Sequence, residues 1–145
     1  SDPASDLAEA DDASVWVPAR NAVFISIAAA HAEAMGAEAI ICGFNAEEAA
    51  TFPDNSPEFV RRCDAMLELA TQNHPRVISP TLDLTKLEIV SLGIETGAPL
   101  HLTWSCYGPG PEHCWQCPSC RRLQAALEEA GCYEQGREQK HTHGG

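Results

Sequence analysis

The chain has 145 residues, the size of one ordinary domain, and its 44% hydrophobic and 21% charged residues are typical of a folded protein. Nine Lys and Arg against 21 Asp and Glu give a net charge of −12 at pH 7, which argues against a surface for nucleic acid or anionic membrane. No apolar run approaches the roughly 20 residues that span a bilayer. The acidic start also lacks the basic segment of a signal peptide, so we expect a cytoplasmic protein.

The first third of the chain predicts a lead-in, a helix and two short strands. Residues 1–14 are rich in Asp, Ala and Ser, which favours a flexible acidic segment. Residues 15–18 look like the end of a strand. Residues 21–35 are apolar almost all round, which predicts a buried helix that ends at Gly36. The apolar run 39–43 predicts a buried strand of a parallel sheet.

The middle of the chain predicts a loop, a helix and a further strand. Residues 44–57 contain two prolines and predict a loop. At the end of that loop, Ser56 suits the N-cap and Pro57 the first turn of an amphipathic helix over 58–71. The run 75–80, bounded by prolines, predicts a short strand.

A further helix begins at a capping box. Thr85 and Glu88 have the spacing at which each side chain accepts from the other's backbone amide, and this helix should end before Gly97. Strands alternating with helices predict an α/β fold with a parallel sheet and right-handed crossovers.

Ligands of such sheets bind at the carboxyl ends of the strands. The polar residues on or beside the loops that leave those ends are Arg20, Asn21, Asn45, Glu47, Glu48, Asp54 and Lys86. Plainer interpretations stay open. Arg20 and Asn21 can simply start a helix, Lys86 can be a solvated helix residue, and Asp54 can be a turn residue.

Four of the seven cysteines crowd into residues 106–120. Cys106, Cys114, Cys117 and Cys120 supply four thiolates, which is the ligand set of a tetrahedral Zn²⁺ site. A saturated four-cysteine site has no open position for water, so it is structural by default. A helix should begin just after Pro118, and its positive end would favour the thiolates.

Other roles for these cysteines agree less well with the sequence. Iron–sulfur proteins of the ferredoxin type continue with a further Cys after three residues, followed by Pro, whereas residues 121–124 here read Arg-Arg-Leu-Gln. His113 could be a ligand, but it adjoins Cys114 and four cysteines suffice. A zinc ribbon on nucleic acid conflicts with the acidic balance. The spacing therefore favours zinc.

Short stretches in a fixed order carry a family resemblance. They read Val17-Pro18-Ala19-Arg20-Asn21, Gly43-Phe44-Asn45-Ala46, Phe52-Pro53-Asp54, Pro57-Glu58-Phe59, Leu84-Thr85-Lys86-Leu87-Glu88-Ile89 and Thr103-Trp104-Ser105-Cys106-Tyr107, followed by the remaining three cysteines. From about Val15 to Gly131 the chain resembles the C-terminal part of the 7-cyano-7-deazaguanine synthase family. Residues 15–132, with a zinc knuckle at 106–120, would then be one α/β part of a PP-loop, Rossmann-like ligase.

The resemblance implies an ATP-dependent carbon–nitrogen ligase. The family converts 7-carboxy-7-deazaguanine and ammonia to the nitrile, through adenylation, capture by ammonia and a second activation with dehydration. It uses two ATP, with Mg²⁺, and one structural zinc ion per chain held by the four cysteines. It acts on the free base, without direct contact to nucleic acid or membrane, and its members are commonly homodimers.

The remaining candidate site residues follow from the same resemblance. Lys86 and Arg20 are the candidate catalytic residues. Arg20 and Asn21 are the candidate ATP ligands. The candidate substrate ligands are Asn45, Glu48 and Asp54.

The sequence also departs from the family. The Ser-Gly-Gly-x-Asp-Ser loop that binds ATP phosphates is missing, because no Gly-Gly precedes Gly144-Gly145. The chain is therefore expected to be a fragment, to work with a separate chain that carries the loop, or to be inactive. The alternative function is a non-catalytic, zinc-stabilised binding or assembly module.

Smaller departures lie in two loops and the tail. Residues 52–59 read Phe-Pro-Asp-Asn-Ser-Pro-Glu-Phe, where the family often has Tyr-Pro-Asp-Cys-Arg-Pro-Glu-Phe, so a possible carboxylate clamp is lost. Ala19 replaces the Gly that usually follows Val-Pro. Residues 133–145 match nothing in the family and predict a disordered tail.

Overall fold

The computed structural model describes residues 16–108 and 111–132. They divide into two compact units, the first over Trp16–Thr85 and the second from Lys86 onward. The predicted lead-in 1–14 and tail 133–145 lie outside the described residues. Within those residues, no helix has both the length and the apolar character that crossing a bilayer requires.

The first unit is a small parallel sheet with helices. Its strands β1 and β2 pair in parallel, with Ile40 opposite Val77. The connection between them contains helices, as the predicted α/β alternation requires. In chain order the elements are α1 (Arg20–Met35), β1 (Ala39–Ile41), α2 (Ala46–Thr51), a 3₁₀ turn (Pro53–Asn55), α3 (Pro57–Ala70) and β2 (Arg76–Ile78).

The core of the first unit lies between the helices and the sheet. Ile25 and Ala29 of α1, Leu67 of α3 and Val77 of β2 are all nearly inaccessible to solvent and pack with Phe44. Burial of such side chains is the main stabilising contribution to a unit of this size.

The outer edge of β2 is closed by a side chain. The backbone N–H of Val77 donates to Asp64 Oδ1 at 2.8 Å, and Arg76 Nε donates to the other carboxylate oxygen at 2.8 Å. Asp64 lies on α3, so this helix supplies the partner that a neighbouring strand would otherwise provide.

The expectation of a strand over 15–18 is wrong for the described residues 16–18. Pro18 and Ala19 form a turn, and Ala19 adopts φ 59°, in the left-handed region, directly before α1. Trp16 stacks on Phe52 with ring centroids 5.8 Å apart. The turn takes the chain straight into the helix, and neither Trp16 nor Val17 belongs to a strand.

Helix α1 has the predicted extent, but it is not buried all round. Gly36 ends it with φ 68°, as expected of a C-cap glycine. Only one stripe is buried, whereas Phe24 and Ile27 are 62% and 54% exposed. A helix buries on one side against one layer, and the described sheet has two strands. The apolar composition of residues 21–35 therefore predicted more burial than α1 has.

The predicted loop 44–57 contains a helix that sequence reasoning missed. Asn45 caps α2, its side-chain oxygen accepting from the N–H of Glu48 at 3.0 Å. The Asn-x-x-Glu spacing was the available signal. The prediction for α3 is confirmed, since the hydroxyl oxygen of Ser56 accepts from the N–H of Phe59 at 3.2 Å.

The second unit packs helices around a small core. Its elements are α4 (Lys86–Glu95), a 3₁₀ turn (Leu100–Leu102) and α5 (Pro118–Glu129). Leu102 therefore lies in a helical turn. A Cβ on Gly93 would lie 2.8 Å from Leu100 Cδ2, so a larger residue there would require the Leu100 side chain to move. The core residues are Val90, Ala126, Leu127 and Cys132.

Candidate metal centre

The four predicted cysteines come together in the second unit. The sulfur atoms of Cys106, Cys114, Cys117 and Cys120 all lie within 4.8 Å of one another, and we call them the cysteine cluster. A tetrahedral ion with metal–sulfur bonds of about 2.3 Å places its sulfurs about 3.8 Å apart. The observed spacing fits one such ion. Within residues 16–108 and 111–132, this is the one group of three or more His, Cys, Asp or Glu side chains arranged to hold a metal.

Local structure aims these sulfurs inward. Trp115 adopts φ 56°, which turns the chain between Cys114 and Cys117. Cys117 is the N-cap of α5, and its sulfur accepts from the N–H of Cys120 at 3.5 Å, as a Ser oxygen would. Pro118 occupies the first turn, where no N–H is needed. The predicted start of a helix at the cluster is confirmed.

Hydrogen-bond donors surround the sulfurs. Such donors stabilise thiolates, which are the form that binds metal. Cys106 Sγ accepts from two backbone amides at 3.2 and 3.3 Å, and Cys114 Sγ from two at 3.4 and 3.3 Å. The hydroxyl of Ser105 donates to Cys120 Sγ at 3.8 Å.

The cluster needs a cation to ionise fully. Burial would raise the pKa of Cys114, but hydrogen bonds from the amide N–H groups of Gln116 and Cys117 and from the thiols of Cys106 and Cys117 together lower that pKa to about 7. Burial raises the pKa of Cys120 to about 12. Four neighbouring thiolates repel one another, so a divalent ion must displace the remaining protons.

His113 supports the cluster without joining it. Its Nε2 accepts from the N–H of Ser105 at 3.0 Å, so that nitrogen is already engaged. The ring lies between Trp104 and Trp115, with centroid distances of 4.7 and 4.9 Å. Burial lowers its pKa, which keeps the imidazole neutral. No sequence pattern indicates these contacts, because a single His and a single Ser form no recognisable motif.

The other predicted site residues lie apart from the cysteine cluster along the chain. In the first unit, Asn21 Nδ2 donates to the backbone oxygen of Asp54 at 3.1 Å, so these two predicted ligands do meet. Asn45 is buried as the cap of α2, and Glu48 donates its backbone N–H to it. Arg20 is exposed at the start of α1. Lys86 begins α4 in the second unit. Their roles toward ATP or substrate stay predictions.

Comparison with known proteins assigns the family. A model of the family described as "Queuosine biosynthesis protein QueC" matches residues 3–131. A protein of Carboxydothermus hydrogenoformans named 7-cyano-7-deazaguanine synthase is 58% identical over 112 residues, 77% of this chain and 52% of its own length. One of the same name from Pelotomaculum thermopropionicum is 54% identical over 117 residues, 81% of this chain and 53% of its own.

A third relative is matched over a smaller share of its own length. A 7-cyano-7-deazaguanine synthase of Saccharolobus solfataricus is 50% identical over 124 residues, 84% of this chain and 27% of its own length. This chain spans about half the length of the first two relatives. The parallel α/β sheet and the four clustered cysteines agree with these matches. The chain belongs to the QueC family of queuosine biosynthesis proteins.

Proposed function

We propose that this chain is the C-terminal part of an ATP-dependent ligase that converts 7-carboxy-7-deazaguanine and ammonia to 7-cyano-7-deazaguanine. The observation that carries this proposal is the cysteine cluster, four sulfurs within 4.8 Å, inside a sequence match over residues 3–131. Relatives that bear the name of this synthase are 50–58% identical to the matched part. The proposal includes a location in the cytoplasm, where ATP is found and thiols stay reduced.

The cluster is proposed to hold one zinc ion per chain. Soft thiolates suit Zn²⁺, and sulfurs this close fit a single ion, whereas an iron–sulfur cluster would divide the four thiolates among two or more irons. When bound, zinc would tie Cys106 to the start of α5 and leave no position for water. Its part is therefore structural.

Metal analysis tests the zinc assignment. Protein purified without chelator should contain about one zinc and no iron per chain, measured by inductively coupled plasma mass spectrometry. Removal of the metal should expose the cluster, so that the four thiols react with a thiol reagent at rates typical of unfolded peptide. Iron, or no metal in folded protein, would refute the assignment.

The proposed reaction consists of activation of the carboxylate, capture by ammonia and dehydration of the amide. The substrate carboxylate attacks the α-phosphorus of one ATP, with Mg²⁺, and expels pyrophosphate. Ammonia then displaces AMP to give the amide. The amide oxygen then attacks the α-phosphorus of a second ATP, which expels pyrophosphate while one N–H proton is lost. Departure of AMP with loss of the second N–H proton leaves the nitrile. Lys86 and Arg20 are proposed to stabilise the negative charge that develops on phosphate and oxyanion, and Asn21 is proposed to help bind ATP.

The phosphate-binding loop is proposed to come from outside this chain. No Gly-Gly pair precedes Gly144, so the chain by itself does not carry the family's loop. That observation also supports a second candidate, a non-catalytic module that works through a partner chain. A homodimer of the assembled enzyme is part of the first proposal.

Reconstitution separates the two candidates. This chain is joined to the N-terminal half of the Carboxydothermus hydrogenoformans relative, and nitrile formation with two AMP per product is followed by mass spectrometry. The ligase proposal expects turnover that falls about 100-fold in Arg20→Met and in Lys86→Met. Arg61→Met, on the exposed face of α3, should leave the rate unchanged. No turnover from a folded, zinc-loaded assembly would favour the second candidate.

A further inference from the structure

A cavity of about 170 Å³ lies beside the cysteine cluster, wholly within the second unit. Val90 and Leu127, each 3% exposed, form a buried apolar part of its wall. Side chains of α4, α5 and the 3₁₀ turn complete the aliphatic wall, namely Ile89, Leu100 and Leu123. None of the predicted substrate ligands lines it, so it is a distinct candidate site.

The polar lining is sparse and has one sign of charge. Lys86, the first residue of α4, supplies an ammonium group, and Thr103, Ser105 and Ser119 supply hydroxyls. Among the described residues that line the cavity, none carries a carboxylate. Lys86 and Ser119 belong to the first turns of their helices, where the helix dipole adds partial positive charge. The cavity therefore favours an anionic group at this side.

An aromatic ring is held in place at the same cavity. Trp104 lines it, and its indole N–H donates to the backbone oxygen of Cys106 at 2.9 Å. The ring also packs against His113, with centroids 4.7 Å apart. A tryptophan fixed on two sides offers a ready surface for stacking by another planar ring.

Size decides which ligand fits. Pockets for drug-sized molecules measure roughly 300–1,000 Å³, and a cavity of about 150 Å³ accepts benzene. The cavity of about 170 Å³ is thus too small for a nucleoside triphosphate, but it suits a small planar ring system with part of its edge in solvent.

We propose that this cavity binds the planar, carboxylate-bearing heteroaromatic base of the reaction. Its rings lie between the aliphatic wall and Trp104, and its carboxylate faces Lys86. This inference rests on the proposed function, and it assigns the base to the second unit instead of to Asn45, Glu48 and Asp54. The cysteine cluster shapes the cavity, because Ser105 both lines it and donates to Cys120 Sγ.

Calorimetric titration of the full zinc-loaded chain with 7-carboxy-7-deazaguanine tests the proposal. Saturable one-to-one binding is expected. Leu123→Trp fills the cavity and should weaken binding at least tenfold. The matched control is Leu69→Trp, the same change at a 92% exposed position of α3, and it should bind as the unchanged chain does.

A second variant tests the charge of Lys86 and does not require a larger side chain in the cavity. Lys86→Met keeps an aliphatic side chain of similar length, so the affinity for the carboxylate should fall about tenfold or more while the affinity for the neutral 7-carboxamide stays the same. Zinc content and circular dichroism of each variant verify folding. If Leu123→Trp does not fold, the comparison of carboxylate with carboxamide decides.

The outcomes separate the two proposals. Equal affinity of Leu123→Trp and Leu69→Trp for the carboxylate would overturn the cavity assignment and leave the proposed ligase intact. Absence of binding to the folded, zinc-loaded chain would overturn the cavity assignment as well. The ligase itself fails only if the reconstituted assembly forms no nitrile.

Discussion

Ser105 lines the cavity and forms two hydrogen bonds beside the cysteine cluster. Its hydroxyl donates to Cys120 Sγ at 3.8 Å, and its backbone N–H donates to His113 Nε2 at 3.0 Å. Groups that hydrogen-bond to metal ligands orient them and tune affinity, even though they do not touch the ion. A residue that carries no charge is thus hydrogen-bonded both to the cysteine cluster and to His113.

We expect Ser105→Ala to weaken zinc binding about tenfold, because one sulfur loses its hydroxyl donor. Competition with a chromophoric chelator measures the affinity. Ser26→Ala is the matched control, since its hydroxyl donates to the backbone oxygen of Ala22 in the first unit. An unchanged affinity in Ser105→Ala would contradict the role given to this hydroxyl.

Ala19 carries backbone strain at the start of α1. Its φ of 59° is costly for a residue with a Cβ and costs glycine little. Ala19→Gly should therefore raise the free energy of unfolding by about 0.5–1 kcal/mol, measured by urea denaturation. Ala34→Gly, at an exposed position inside α1, should lower it by about 1 kcal/mol. Destabilisation by both changes would contradict the interpretation.

At the scale of elements, caps and edges decide where helices and strands end. Ser56, Asn45 and Cys117 each accept from the backbone amide three residues further on, at the starts of α3, α2 and α5. These signals are local, so the sequence predicted the start of α3 at Ser56 and could have predicted the start of α2 at Asn45. Closure of the edge of β2 by Asp64 depends on α3 lying alongside, and no local pattern announces it.

Asp64→Ala should destabilise the first unit by about 1–3 kcal/mol, because the buried N–H of Val77 loses its acceptor. Urea denaturation measures the effect. Asp64→Asn, which retains an oxygen acceptor, should recover part of the loss. Glu68→Ala, on the exposed side of the same helix, is the control. Equal stability of Asp64→Ala and Glu68→Ala would show that the edge needs no such closure.

At the scale of the whole molecule, a large apolar surface stays exposed on the first unit. Phe24 and Ile27 of α1 and Ile41 of β1 are 62%, 54% and 65% exposed. A contiguous patch of this kind promotes association between copies or with a partner. This chain spans about half the length of the first two relatives, which therefore have more chain that could cover such a surface.

Phe24→Asp should reduce self-association of the isolated chain, because a charge in the centre of the patch opposes its burial. Sedimentation velocity across a concentration series measures the effect. His31→Asp introduces the same charge at another exposed position of α1 and should change association much less. Equal sedimentation of the two variants would exclude this patch as the contact.

The predictions that failed share one physical cause. Residues 21–35 look buried from composition, yet α1 buries one stripe, because burial depends on which layers surround a helix. The strand expected to include residues 16–18 failed because a left-handed turn at Ala19 leads directly into the helix. In both cases the deciding contacts or dihedral angles are invisible to local periodicity.

The sequence by itself determined which four cysteines form the cluster, the starts of α3 and α5, and the family. These depend on spacing within a few residues, which covalent geometry converts directly into proximity. Tertiary structure alone decided that Ser105 and His113 support the cluster, that Lys86 and Trp104 line one cavity, and that one face of α1 stays open. Those features depend on contacts between distant segments, which form only when the segments pack.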